Sequence, residues 1–369
     1  MKILYYFMQY QTPMYTWQNV HIVDELWHHG IYVEIFNPLH FSSIDEANDK
    51  LVKYVEQREF DLFMTCNNET VCYVDTLLRI KKKMPTVLIC FDNLVAPYLH
   101  KNICSYFDLV WLTAHENKEM FQNWGCKYVV MPYAANPYMF KPLNKKEIKR
   151  CTFIGTPYGS RVNTINALTN ENVPVSLYAN ISNQQGIVVA EKNSTGRKID
   201  TLKKYLTYET GRKLLNAALK QKCSKQGALD VDTSWLEIRE PVPLEQMSEL
   251  YSAYSLALSS TTARNTGILK RPVEIINLRS FEIPMCGGIQ LCRYNHELAE
   301  YFEDGKEIIF YQSNKEMVDK AKFYLKPENE KLRKEIKTNA RRRAENEHTW
   351  YFRFSKLFAI LGLEVQNEQ

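Results

Sequence analysis

Six short apolar runs separated by amphipathic stretches fill the chain between Lys2 and Met131, and few folds accommodate that alternation. The runs are Lys2–Met8, Ile31–Phe36, Phe60–Cys66, Thr86–Phe91, Leu109–Thr113 and Lys127–Met131. A continuous apolar run of this length, bounded by turn residues, reads as a strand buried on both faces of a sheet. Between the runs, Trp17–His29 reads as a helix closed by Gly30, and Ser43–Gln57 as another. Strands alternating with helices imply a parallel, doubly wound sheet, and right-handed crossovers make it Rossmann-like.

The pattern then stops and starts again. Pro132, Pro137 and Pro142 interrupt regular structure, and Lys145, Lys146, Lys149 and Arg150 form a solvated charge run. Cys151–Ile154 opens a second series of strands, continued by Val173–Tyr178, Leu236–Ile238, Ser255–Ser259 and Gly288–Cys292. Asp200–Lys222 reads as one long amphipathic helix within an insertion near 195–225. The expected domains are therefore 1–140 and 151–345, both Rossmann-like, with 346–369 as a C-terminal segment. Its aromatic and apolar stretch Tyr351–Leu361 reads as packing surface, and only Glu364–Gln369 reads as a tail. In such folds ligands bind at the carboxyl ends of the strands, so two facing sheets would assemble a site from loops of both.

A length of 369 residues suits two cores rather than one. The net charge of +5 suits an anionic small molecule or an anionic membrane surface. It is far from the dense basic footprint of a nucleic-acid binder, and Lys81–Lys83 and Arg341–Arg343 lack interleaved aromatics. The nine cysteines are scattered and form no CxxC, as expected of reduced thiols. No apolar stretch reaches membrane-spanning length, so a cytoplasmic protein, with at most peripheral contact at the inner membrane face, is expected.

Two common nucleotide motifs are missing: there is no G-x-G-x-x-G and no G-x-x-x-x-G-K-[ST]. His28 and His29 are adjacent on a helix and cannot share a metal, so no metal is expected. Phe153–Arg161 reads as strand, glycine loop and helix start. Gly155 and Arg161 there can cradle phosphate, or form an ordinary turn with a surface arginine. In Lys270–Gly288, Glu274 and Glu282 are separated by seven residues. One carboxylate can grip a ribose diol while the other lies beneath a sugar. Lys270, Arg271 and Arg279 can offset a diphosphate, and Gly287 and Gly288 can let backbone approach it. The same segment also fits an amphipathic helix with solvated charges. After the first strand, Gln9, Tyr10, Gln11, Tyr15, Thr16, Trp17 and Gln18 offer ring faces and amides suited to a sugar, or a capped helix entrance. Asp92, at the end of the fourth strand, is a candidate for orienting an acceptor or taking its proton, ahead of His115 and Glu116.

Arg279–Gly288, Glu300–Ile308, Tyr324–Leu325 and Glu347–Arg353, in that order, resemble the C-terminal half of CgeB-like glycosyltransferases. Pro132–Pro137 and Phe153–Arg161 resemble that family's entry into its donor domain and its first donor loop. The resemblance implies a GT-B fold: two Rossmann-like domains facing across a cleft, with a C-terminal helix returning to the first. It also implies that Glu282 binds the donor ribose, that Arg161 is a phosphate-side basic residue and that Arg279 is the family's arginine before that glutamate; His348 reads as structural, holding the last helix. Glu274 falls at the wider group's first glutamate, which members of this branch often lack. The glycine-rich stretch usual between the two glutamates is absent.

The expected activity is metal-independent transfer from a UDP- or GDP-sugar, without a further cofactor, to a glycan, a lipid-linked acceptor or another hydroxyl. Retention of configuration is favoured by the Glu274 and Glu282 pair. Two alternatives stay open: a UDP-sugar epimerase of the same shape, and a non-catalytic protein of coat or surface assembly.

Overall fold

A computed structural model describes residues 1–180, 195–223 and 228–364. Parts of two sequence readings, the end of the insertion near 195–225 and the tail after Glu364, lie outside the described residues. The chain divides into two compact units, Met1–Asn136 with Thr349–Gln369, and Pro137–His348.

In the first unit the expected strands are β1 (Lys2–Tyr6), β2 (Tyr32–Phe36), β3 (Leu62–Thr65), β4 (Thr86–Cys90), β5 (Leu109–Leu112) and β6 (Tyr128–Val130). They form one sheet in the order β2-β1-β3-β4-β5-β6. Every pairing is parallel, with Leu4 opposite both Glu34 and Phe63. β3, β4 and β5 are buried along their whole length, as continuous apolar runs require. The helix after β1 begins earlier than expected, at Pro13, and passes through a π-helical turn at Asn19–Val23 before ending at Trp27.

The second unit contains β7 (Ile148–Ile154), β8 (Val175–Tyr178), β9 (Leu236–Arg239), β10 (Tyr254–Ser259), β11 (Gln290–Arg293) and β12 (Ile309–Tyr311). Their order is β12-β11-β10-β7-β8-β9, again all parallel. β12 was not anticipated. It is an edge strand of three residues, too short to show any periodicity. The single helix expected over Asp200–Lys222 is two helices, Thr195–Leu206 and Glu209–Cys223. The Thr207 hydroxyl turns back to the Lys204 carbonyl at 2.7 Å, and Tyr208 is buried, which breaks the helix between them. A fully enclosed arginine ties this unit together. Arg333 donates to both Glu147 oxygens at 2.8 and 2.6 Å and to the Tyr324 and Lys326 carbonyls.

The C-terminal helix Trp350–Leu361 belongs to the first unit. Trp350 is fully buried against Trp17, Trp111 and Tyr133, and the Arg353 guanidinium donates to the Pro132 carbonyl. The first turn of this helix rests on Glu25, whose Oε1 accepts the Tyr351 N–H at 2.7 Å while Oε2 is buried without a hydrogen bond. His348 packs among Phe281, Tyr301 and Phe302 of the second unit.

Burial pushes the Glu25 carboxyl up from 4.5 to about 8, against the pull of the Tyr351 N–H. The folded carboxyl keeps its proton to higher pH than the unfolded one, so ionisation costs stability. The contribution is complete below about pH 4.5 and is lost as the pH rises towards about 8, at a slope of about 1.4 kcal/mol per pH unit. Urea denaturation of Glu25→Gln across that window is expected to show this slope removed, with the variant more stable than the parent at the alkaline end. Parallel curves for parent and variant would refute the assignment.

Candidate functional site

Each sheet has one place where its strand order reverses, between β1 and β3 in the first unit and between β7 and β10 in the second. Crossovers leave such a point in opposite directions and open a crevice at the carboxyl ends of the strands. Both units contain a cavity there, and the two differ in charge.

The cavity of the second unit, about 150 Å³, lies beyond the ends of β7, β10, β11 and β12. After β7 the chain turns through Gly155 and Gly159, both at positive φ (138° and 57°). A side chain at Gly159 would lie 2.4 Å from the Asn265 amide oxygen, so this turn needs glycine. The helix Ser160–Thr169 starts directly afterwards, and its Ser160 and Arg161 line the cavity. Arg161 donates to the Thr156 carbonyl at 3.1 Å, and its guanidinium lies 4.3 Å over the Tyr158 ring. Burial pulls the Arg161 pKa down, and the nearby Arg279 charge adds to that effect. Arg279, from a helix far along the chain, donates to the Ile154 carbonyl at 3.3 Å. Gly155, Arg161 and Arg279 therefore meet at one loop.

The other residues named from sequence take different places. Glu282, on the helix Arg279–Met285, is wholly enclosed, with its carboxylate 3.6 Å from the Arg279 guanidinium. It does not line the cavity, and no ligand hydroxyl reaches an enclosed carboxylate without movement of that helix turn. Glu274 pairs with Thr262 in an isolated bridge, so it borders the cavity, but its carboxylate accepts the His296 N–H at 2.8 Å and meets Nδ1 at 2.9 Å. Lys270 and Arg271 are exposed and do not line the cavity. Gly287 and Gly288 permit a close approach, but to the chain itself. Added side chains there would meet Pro142 at 3.2 Å and the Ile283 and Tyr251 carbonyls at 3.0 Å.

Sequence reasoning missed two parts of this cavity: the hydroxyl run Ser259–Thr262 that ends β10 and continues past it, and Arg293 at the end of β11. A visible signal existed for both. Four hydroxyl residues follow an apolar strand, and a basic residue follows another, at the sheet edge where ligands bind.

The cavity of the first unit, about 450 Å³, brings together Tyr15, Trp17, Gln18 and Asp92. Asp92 follows β4 and is exposed, and Trp17 lines the cavity while packing edge-on against Phe91 and Tyr133. Gln18 is nearly enclosed, and its amide oxygen accepts the Tyr5 hydroxyl. Asn67, Asn68, His100 and Tyr133 complete the polar wall and were not singled out from sequence; His115 and Glu116 do not line it. Burial pushes His100 down to about 4, so it is uncharged at neutral pH. Among the described residues this cavity has one acid and no lysine or arginine, whereas the other has two arginines and no acid. No group of three His, Cys, Asp or Glu side chains suited to a metal ion occurs among the described residues.

Comparison with known proteins agrees with this architecture. Residues 210–359 match the profile of a family described as glycosyl transferase-like. No curated protein sequence matches the chain. Among solved structures, Anabaena HepE in complex with UDP-glucose is 14% identical, with a TM-score of 0.57, over 98% of this chain and 99% of its own. A glycosyltransferase from Rickettsia africae is 12% identical, with a TM-score of 0.59, over 100% and 99%. Sucrose-phosphate synthase from Thermosynechococcus elongatus is 12% identical, with a TM-score of 0.55, over 98% and 99%. The chain thus has a GT-B fold and, over residues 210–359, a glycosyl transferase-like domain.

Proposed function

We propose that this protein transfers a hexose from a nucleotide diphosphate sugar, UDP or GDP, to the hydroxyl of a glycan or lipid-linked acceptor. The observation that carries the reading is the division of charge between the two cavities. Arg161 and Arg293, with a helix N-terminus and the hydroxyls of Ser259–Thr262, suit a diphosphate. Tyr15, Trp17, the amides and Asp92 suit a polyol with apolar ring faces. That HepE was captured with UDP-glucose supports the donor class. Membership of the CgeB-like branch is part of the same proposal and rests on the motif order in the C-terminal half.

In this reading the leaving diphosphate gains its negative charge beside fixed guanidinium groups, which need no reorganisation as the bond breaks. The mechanism is metal-free because arginines take the role of the cation. Asp92 orients the acceptor hydroxyl and takes its proton. Glu282 reaches the donor ribose once nucleotide entry opens its helix turn, and Glu274, held by His296, borders the sugar. The acceptor-type cavity favours transfer over epimerisation, which needs no second substrate. Formation of an epimer from a UDP-sugar alone would reverse that preference.

Three outcomes are expected. Arg161→Ala weakens binding of UDP or GDP in calorimetry by about 10- to 100-fold, the worth of one charge-assisted hydrogen bond, and leaves the free nucleoside unaffected. Equal losses for nucleotide and nucleoside would place the diphosphate elsewhere. Glu282→Gln weakens nucleoside and nucleotide alike but not inorganic pyrophosphate; unchanged nucleoside affinity removes it from ribose binding. Asp92→Asn leaves donor affinity intact and lowers kcat by about 100-fold or more, and a variant as active as the parent would dismiss Asp92 as the base.

A further inference from the structure

The charge of this chain is concentrated in one short stretch. Residues 195–223 contain eight lysines or arginines and two acids, a surplus of six, whereas the whole chain has a surplus of five. The remaining residues therefore carry a slight negative excess. The stretch is the helical pair Thr195–Leu206 and Glu209–Cys223.

Its two acids are already engaged, Asp200 with Lys204 at 2.9 Å and Glu209 with Lys213 at 2.7 Å. Lys203, Lys220 and Lys222 are exposed, and among the described residues no acid pairs with them. Three leucines on the same pair face water: Leu202 at 46%, Leu206 at 53% and Leu219 at 65% exposure. Leu202 and Leu206 are one turn apart and share a helix face. The second helix is anchored by buried Thr210, Gly211, Leu214 and Ala217, and it packs on the turn Thr266–Ile268. That turn contributes Gly267 to the cavity of the second unit.

Lysines without counter-charges beside exposed leucines are the pattern of a helix that lies in a membrane interface. The leucines enter the headgroup region while the lysines meet anionic lipid. A purely polyanionic partner would satisfy the lysines but leave the leucines in water. No helix among the described residues is long and apolar enough to cross a membrane, so contact of this kind is interfacial.

We propose that the helical pair Thr195–Leu206 and Glu209–Cys223 is a docking surface for an anionic lipid bilayer. It holds the membrane against the part of the second unit whose loop closes the arginine-lined cavity. The surface does not depend on the proposed transferase reaction, and its test does not measure turnover.

Vesicle co-sedimentation decides the matter, with phosphatidylcholine alone compared against equal parts phosphatidylcholine and phosphatidylglycerol. The parent is expected to bind only the anionic vesicles, and less tightly at high salt. Two independent triple variants test the two halves of the surface, Lys203→Glu with Lys220→Glu and Lys222→Glu, and Leu202→Ser with Leu206→Ser and Leu219→Ser. Each is expected to lower the partition coefficient by at least about tenfold. An equal change of charge elsewhere, Lys141→Glu with Lys146→Glu and Lys315→Glu, is expected to leave it within about threefold. All these side chains are exposed, and circular dichroism checks that each variant folds. Failure of the parent to bind anionic vesicles overturns the proposal, as does either surface variant binding like the parent. So does an equal loss in the control, which would reveal a general charge effect. A Tm lowered by the leucine substitutions, in a protein that ignores vesicles, would show instead that the chain itself covers those leucines.

Discussion

Where a parallel sheet reverses its strand order, no crossover covers the strand ends, and that constraint sets the chemistry of this protein. Each strand delivers its last residue and the following loop to one edge. In the first unit the exposed edge lies at the ends of β1, β3 and β4; in the second it lies at the ends of β7, β10 and β11. The strands are mainly apolar in their interiors, and the polar residues of the cavities stand at their carboxyl ends or in the loops that follow. Strand burial fixes the register, and the register fixes which polar residues emerge beside one another. Leu258 opposite Leu291, for example, places the hydroxyl run that ends β10 next to Arg293, the last residue of β11.

The two crevices then differ through a handful of side chains. In the second unit two guanidinium groups, Arg161 and Arg279, converge on the carbonyls of Thr156 and Ile154 around Gly155. Two like charges this near are costly without compensation. Glu282, enclosed beside Arg279, supplies part of it, and an anion at the cavity mouth would supply the rest. In the proposed reading that anion is the diphosphate of the donor. In the first unit burial keeps His100 neutral and leaves Asp92 as the charged group among the described residues of the wall. A phosphate there would meet repulsion and no cation, whereas a sugar hydroxyl would find acceptors and ring faces.

Much of this could be read from the chain. Buried parallel strands leave a strong signal because both faces must be apolar, and eleven of the twelve among the described residues were legible; β12 escaped because three residues at an edge have no period. The loop Gly155–Arg161 was legible because a glycine turn feeding a helix is a local feature. Glu282 was located, but its enclosure was not, because burial depends on Phe281, Tyr251 and other residues brought together only by the fold. Gly287 and Gly288 misled for a related reason. A sequence shows that backbone must pass close to something, not whether that something is a ligand or Pro142. The break at Thr207 did leave a local signal, since Thr207, Tyr208, Thr210 and Gly211 are weak helix formers, but the amphipathic pattern on either side masked it; Gly211 lets the chain pass close to the Tyr205 carbonyl at the turn.

The same break explains why the basic helices stand where they do. A continuous helix from 195 to 223 would have a single apolar stripe, and burying Leu214 and Ala217 would commit the whole stripe to the second unit. Turning at Thr207 lets Glu209–Cys223 bury its own face against Thr266–Ile268 while Thr195–Leu206 keeps Leu202 and Leu206 in water. Exposed leucines lower solubility and add nothing to the fold, so their retention beside uncompensated lysines needs a partner that rewards both. An anionic interface does so. The second of these helices also braces the Gly267 turn, so a lipid-linked acceptor would reach the protein at the unit that carries the proposed donor.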